Sequence, residues 1–271
     1  KFNTVKKLFN EADDILNYSI SDLIINGPKE KLNETEYTQP AIFLVGYSIY
    51  NLIEKEFSID LNKAQFFAGH SLGEYTALAA ARSLSFEDTI KLLRVRGKAM
   101  QEAVPNGQGG MVAVLGSDIN LIEKIIIENK EKYECFIAND NSNGQIVISG
   151  KNKDLEFLMS DLKKLSIKNI KLPVSAPFHC SLMSKATDVM REELGKLNFK
   201  KGSNPLISNI TADEIFNADE LKDLLIQQIE NRVRWRESVI YMIRKGVKQF
   251  IEIGPGKVLS GLVKRIDRNV K

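Results

Sequence analysis

The stretch QFFAGHSLGEYTALAAA, residues 65 to 81, decides how this chain is read. It passes from apolar, strand-forming residues through a glycine-flanked serine into an alanine-rich run. Gly69, Ser71 and Gly73 fit the pattern G-x-S-x-G, whose glycines permit a sharp strand-to-helix turn that exposes the serine oxygen. The flanks supply what the pattern requires: AQFFA is a strand, and LGEYTALAAARSL is a helix of good helix formers from about Leu72, with Arg82 near its end. A helix that starts at the serine points its first N–H groups and its positive dipole end at whatever stands above it, which suits an oxyanion. A serine N-cap on a buried helix is the plainer alternative, and it accounts for the serine without accounting for both glycines.

Outward from that stretch, short β-type runs alternate with helical ones. KQFIEIG is a second expected strand, followed by a helix from about Gly256, and the alternation predicts a parallel sheet covered by helices. The middle of the chain differs. MVAVLG, YECFIAN, GQIVISG and NIKLPV read as strands, with helices INLIEKIIIENK and KDLEFLMSDLKKL in the second and fifth places. That β-α-β-β-α-β order is a ferredoxin-like unit. The turn-rich VPNGQGG enters it and PVSAP leaves it, so the expected organisation is an α/β parallel-sheet domain over residues 1–104 and 174–271 with an inserted ferredoxin-like subdomain at 105–173.

Composition narrows the functional classes. With 271 residues, 43% of them hydrophobic, the chain can bury a sizeable core. Its 38 Lys and Arg against 35 Asp and Glu leave a formal charge of +3, with the basic residues scattered, so no nucleic-acid footprint is expected. Apolar runs such as AIFLV are too short to span a bilayer and no signal-peptide pattern opens the chain. A cytoplasmic protein without a membrane partner, and a monomer, are the expectations. Two cysteines, Cys135 and Cys180, cannot build a disulfide framework or a four-thiolate metal site, and both read as small buried residues. The opening KFNTVKKLFNEADDIL lacks an initiator Met and already reads as an amphipathic helix, so the sequence looks truncated at its start.

A serine hydroxyl needs a base within hydrogen-bond reach to act as a nucleophile, and the chain holds only two histidines. His70 adjoins Ser71, and neighbouring side chains at a strand end point to opposite faces. His179 remains, in the proline-punctuated loop LPVSAPFHCSLM, where catalytic residues tend to sit. Cys180 adjoins that base rather than facing it.

GHSLGEYTALAAARSL, RVRGKAMQEAVPNGQGGMVAVLG, NDNSNGQIVISG, LPVSAPFHCSLM and FIEIGPGKVLSGLVKRI together resemble the malonyl-CoA:acyl carrier protein transacylases and the related acyltransferase domains of polyketide synthases, over nearly the whole chain. The resemblance implies that Ser71 attacks malonyl-CoA to form a malonyl-serine ester, that His179 is the base, and that the phosphopantetheine thiol of acyl carrier protein takes the acyl group in a ping-pong reaction. It implies an α/β-hydrolase-like parallel-sheet domain with a ferredoxin-like insertion, in agreement with the segment pattern, and no cofactor or metal. Arg96, in RVRGKAM, matches the family arginine that pairs with the malonyl carboxylate, and a guanidinium offers two parallel hydrogen bonds there. Phe178 matches the bulky residue of malonyl-selective domains. Leu72 is expected to give one oxyanion N–H, and the family's second donor sits in an N-terminal GQGSQ motif that this sequence does not contain. A backbone carbonyl near Arg234, in NRVRW, is expected to steady the histidine. Gln39, in YTQPA, matches a glutamine near the family's active site, with helix capping as the alternative; Asn139, Asn141 and His70 are expected at the pocket edge, with hairpin turn chemistry as the plainer role of the asparagines. Lys185, Arg191 and Arg232 form an expected basic patch for the acidic carrier. A trans-acting acyltransferase of polyketide synthesis, a serine esterase or thioesterase, and a non-catalytic carrier-binding domain are the competing readings; a hydrolase of neutral esters has no use for Arg96, and a docking module does not need Ser71, His179 and Arg96 together.

Overall fold

In the computed structural model, residues 2–174 and 176–271 are described. The chain opens with α1 (Asn3–Leu16), α2 (Ile20–Asn26), α3 (Lys29–Leu32) and the long α4 (Thr35–Glu56). The apolar stripe of α1 behaves as its spacing predicts: Ala12 is fully buried, and Leu8, Phe9, Ile15 and Leu16 pack on the main core. Pro40 lies inside α4 and has no N–H to give to the carbonyl of Glu36. The freed oxygen accepts instead from the Arg94 guanidinium at 3.0 Å.

Next come β1 (Phe67–Ala68), α5 (Leu72–Ala80) and α6 (Phe86–Glu102). A Cβ at Gly97 would lie 2.5 Å from the Thr35 oxygen and 2.7 Å from the Glu36 Cα, so only glycine lets α6 press this closely on the start of α4. The inserted unit is β2 (Gly109–Leu115), α7 (Ile119–Glu128), β3 (Cys135–Ser142), β4 (Gln145–Lys151), α8 (Asn152–Lys164) and β5 (Lys168–Lys171). Its antiparallel sheet runs β3-β4-β2-β5, the order of a ferredoxin-like unit. Val112, Val114, Ile146 and Ile148 face its two helices, while Met111, Ala138 and Val147 face the other way, against Leu172 and Phe178.

The chain then returns through α9 (Ser184–Gly195), β6 (Leu206–Ile207), β7 (Glu214–Ile215), α10 (Ala218–Gln228), α11 (Trp235–Arg244) and α12 (Val258–Ile266). β1 pairs parallel with β6, and β7 is antiparallel to β6. Two expectations need correction. The strand expected across AQFFAG is limited to Phe67 and Ala68. KQFIEIG forms no ladder among the described residues: Phe250 N–H donates to the Lys271 carbonyl and Lys271 N–H to Lys248, leaving Ile251 62% exposed. Apolar, β-branched composition marks a segment suited to a strand, but a strand also needs a partner for its backbone. The two parts of the molecule are joined where β3 meets the segment before α11. Val233 N–H donates to the Ala138 carbonyl of β3 and its own carbonyl accepts from the Asp140 N–H, in strand-like fashion, and Arg236 grips buried Asp140 with Nε 3.0 Å from each carboxylate oxygen.

Candidate active site

The β1–α5 junction is a sharp elbow. A Cβ on Gly69 would stand 1.9 Å from the Gly73 oxygen, so glycine is required there, whereas one on Gly73 would meet nothing within 4 Å. Ser71 itself adopts φ 52°, ψ −109°, a conformation that L-residues rarely hold. Its Oγ lies 2.8 Å from Nε2 of His179. The ring's other nitrogen, Nδ1, lies 2.8 Å from the main-chain oxygen of Gln228. A carbonyl only accepts, so Nδ1 carries the hydrogen and Nε2 keeps the lone pair that receives the serine proton. Burial first, then the charge of Arg96, pushes the His179 pKa down to about 3, so the imidazole is neutral near pH 7.

The loop that carries His179 lies on the inserted sheet. A Cβ at Gly109 would stand 2.4 Å from Pro177 Cδ, and Ser149 Oγ donates to the Phe178 carbonyl at 2.5 Å. Phe178 is half-buried between the main core and the subdomain's inner face. Cys180 donates to the Pro177 carbonyl at 3.0 Å, and burial pushes both thiols, Cys135 and Cys180, up to about 12. Neither is a thiolate near neutral pH.

Arg96 is 1% exposed and has no carboxylate partner among the described residues. Nη1 donates to Gln39 Oε1 at 2.7 Å; Nη2 donates to Ser71 Oγ at 3.0 Å and to Gln228 Oε1 at 2.8 Å; Nε has no partner. The Nε and Nη2 donors share one edge of the guanidinium, and Nη2 is the nitrogen bonded to the serine. Burial lowers the Arg96 pKa, and a guanidinium is a donor-only cation in proteins. The close approach at Gly97 and the Arg94–Glu36 bond are what bring Gln39 and Arg96 together. Gln39 therefore lies inside α4, not at its cap.

The Leu72 N–H opens α5 and bonds to no group among the described residues, as a first-turn N–H of a helix can. Asn141 lies in β3, not in the hairpin turn, and its Oδ1 is 2.8 Å from His70 Nε2; the His70 ring also faces Trp235 at 5.7 Å. His70 is thus held away from Ser71 Oγ. Asn139 is in the same strand and bridges to Val233 through its backbone, with no side-chain bond to the centre.

The expected histidine-orienting carbonyl at Arg234 is corrected. Arg234 caps α11, and its oxygen accepts from Ser238 N and Oγ at 2.9 and 2.8 Å. Gln228 ends α10, where a carbonyl lacks an intrahelical donor and is left for the imidazole. Two further buried residues escaped the sequence reading, Glu74 and Asn209. Glu74 had a signal: it is the one charged residue in the otherwise apolar helix of LGEYTALAA. Asn209 and Gln228 had none, because their roles arise from where β6 and α10 end.

A groove of about 410 Å³ beside His179 is lined by Ile126, Phe136, Ile137, Asn231 and Arg232. A cavity of about 510 Å³ behind α5 contains none of the groups named above. Of the expected basic patch, Arg232 is bonded to Glu123 at 2.6 Å and Arg191 to Asp188 at 2.7 Å. No cluster suited to a metal occurs among the described residues, and none of their helices is long and apolar enough to cross a membrane.

The acyl transferase domain profile matches residues 3–270. The malonyl CoA-acyl carrier protein transacylase of Bacillus subtilis strain 168 is 42% identical over 268 residues, covering 98% of this chain and 83% of that protein. An acyl-carrier-protein-S-malonyltransferase from Bartonella henselae has a crystal structure that matches with TM-score 0.96 at 41% identity, over 100% of this chain and 86% of that one. A malonyl-transacylase solved in complex with its type II polyketide-synthase acyl-carrier protein matches with TM-score 0.94 at 37% identity, over 99% and 86% of the two chains.

Proposed function

The chain belongs to the acyl transferase domain family, and on that premise we propose that it transfers malonyl from malonyl-CoA to the phosphopantetheine thiol of acyl carrier protein, in the cytoplasm, for fatty-acid synthesis. The observation that carries this reading is the buried Arg96 guanidinium, 3.0 Å from Ser71 Oγ and bonded only to neutral groups. A buried cation with a vacant Nε donor beside a nucleophile awaits an anionic substrate group, and the free carboxylate of malonyl is that group.

Ser71 Oγ attacks the thioester carbon as its proton passes to His179 Nε2. The carbonyl oxygen takes up negative charge and is met by the Leu72 N–H at the start of α5. When the C–S bond breaks, His179 returns the proton to the departing thiolate. The carrier thiol then gives its proton to the same nitrogen, attacks the ester, and Ser71 Oγ recovers the proton. Every step is acid–base and acyl chemistry, so no cofactor is called for. Phe178, packed beside His179, crowds the space an α-methyl group would need.

Intact-protein mass spectrometry after mixing with malonyl-CoA or acetyl-CoA tests the reading. A malonyl adduct is expected, lost in Ser71→Ala and no longer favoured over acetyl in Arg96→Ala. An adduct that survives Ser71→Ala, or an unchanged preference in Arg96→Ala, would sink it.

A further inference from the structure

We propose that Glu74 is a positioning residue for the Ser71–His179–Arg96 centre, acting through the side chains of Gln228 and Asn209; the inference rests on the function proposed above for what those three groups do. The strained Ser71 backbone persists only where its surroundings over-determine it. They do so from both sides. Ser71 N–H donates to Asn209 Oδ1 at 2.7 Å, and the Ser71 carbonyl accepts from Gln228 Nε2 at 3.1 Å. Asn209 Nδ2 also donates to the Gly69 carbonyl at 2.8 Å, so one asparagine spans the elbow.

Both amide residues converge on one carboxyl oxygen. Glu74 Oε2 accepts from Gln228 Nε2 at 2.6 Å and from the Asn209 N–H at 3.3 Å. The first of these is the shortest of the bonds that fix which way the Gln228 amide faces. Its two ends are nearly the same shape, and their partners choose between them. Arg96 Nη2 is donor-only and requires Oε1, at 2.8 Å; an oxygen at the opposite end requires Nε2. Without the Glu74 acceptor the amide keeps only the Arg96 donor and the longer bond to the Ser71 carbonyl, and it loses the contact that presses its Nε2 end in place; any turnover sets N–H against the guanidinium and a carbonyl oxygen against the Ser71 main-chain oxygen. The same residue's main-chain carbonyl holds His179. Gln228 therefore bonds to all three residues of the centre, to Ser71 through the serine's main-chain carbonyl, and Glu74, one helical turn after the serine, helps to fix Gln228. Burial pushes the Glu74 carboxyl up to about 8, consistent with a geometric rather than an ionic part.

The test uses the full chain with Glu74→Gln, Glu74→Asp and Glu74→Met, and reads Ser71 phosphonylation by a fluorophosphonate together with malonyl transfer and the malonyl-over-acetyl ratio, well below each melting temperature. Glu74→Gln keeps an acceptor at the right reach and is expected within about threefold of the unsubstituted chain, whereas Glu74→Met is expected to fall about 10- to 100-fold in both rates. Glu74→Asp keeps a carboxyl group but withdraws its oxygen from Gln228, and is expected between the two, with a reduced malonyl preference. A merely structural Glu74 would lower the melting temperature and leave phosphonylation of folded protein unchanged. That result, or Glu74→Asp outperforming Glu74→Gln, overturns the inference; the Asp–Gln order decides it even where Glu74→Met does not fold. A chain that is phosphonylated but transfers no malonyl would overturn the proposed function and still leave the phosphonylation comparison to judge Glu74.

Discussion

In the inserted sheet, Val112 and Val114 on β2 stand beside Ile148 and Ile146 on β4, and each buried side is spelled out by alternate residues of a continuous strand. Around Ser71 the groups that meet come from separate elements: Gln39 from α4, Arg96 from α6, His179 from the loop after β5, Gln228 from the end of α10. The first region is held by apolar area, which tolerates small errors of position. The second is held by single hydrogen bonds in buried surroundings, where a lost partner leaves an unsatisfied group. Stability and reactivity therefore reside in different places, and substitutions can pull them apart.

The largest effect is expected from Gly69→Ala. Its Cβ has no room against the Gly73 backbone, so the elbow must distort, and serine acylation should fall by more than about 100-fold, read by adduct formation on folded protein. A mild result would mean that the elbow is as tolerant as the sheet. Next, Ile148→Ala, at a fully buried position of β4, should cost about 2–5 kcal/mol in denaturant unfolding while phosphonylation of the folded fraction stays unchanged. A parallel loss of reactivity would erase the distinction between the two regions.

A pH series sharpens it further. The folded Glu74 pKa, raised to about 8 by burial, exceeds the ordinary carboxyl value, so between these the folded state holds a proton that the unfolded state has released. Stability supplied by keeping that proton is present at low pH and is lost as pH rises toward 8. Glu74→Gln cannot titrate, so its melting temperature relative to the unsubstituted chain should climb from pH 5 to pH 8. A flat difference would mean that the site holds the carboxylate without penalty. The smallest effect is expected from Lys91→Ala, which removes a half-exposed i,i+4 pair with Glu87 and should change stability by no more than about 0.5 kcal/mol.

How far the sequence could be read follows the same division. The β-α-β-β-α-β order of the insertion was visible because periodicity is written locally, and Gly69 and Gly73 around Ser71 marked the elbow because the turn lies within one short run of sequence. The pairing of Ser71 with His179 followed from there being only one other histidine to consider. The Gln228 carbonyl was misplaced at Arg234 because what frees a carbonyl is the residue at which a helix stops, and α10 stops with no glycine or proline to announce it. KQFIEIG had the composition of a strand, but pairing depends on what lies alongside, which composition does not record. Glu74 was there to be seen: a carboxylate amid alanines asks what it is bonded to.

Pro177 on Gly109 and the Ser149 bond to the Phe178 carbonyl bear on how such a molecule could be reduced or recombined. The nucleophile is mounted on α5, whereas its base rests on the sheet of the insertion. A shortened chain without that sheet would keep a well-formed elbow and lose the floor under its imidazole. A graft of the insertion from a relative would succeed or fail on how closely two small residues, at positions 109 and 149, matched the underside of a proline-rich loop.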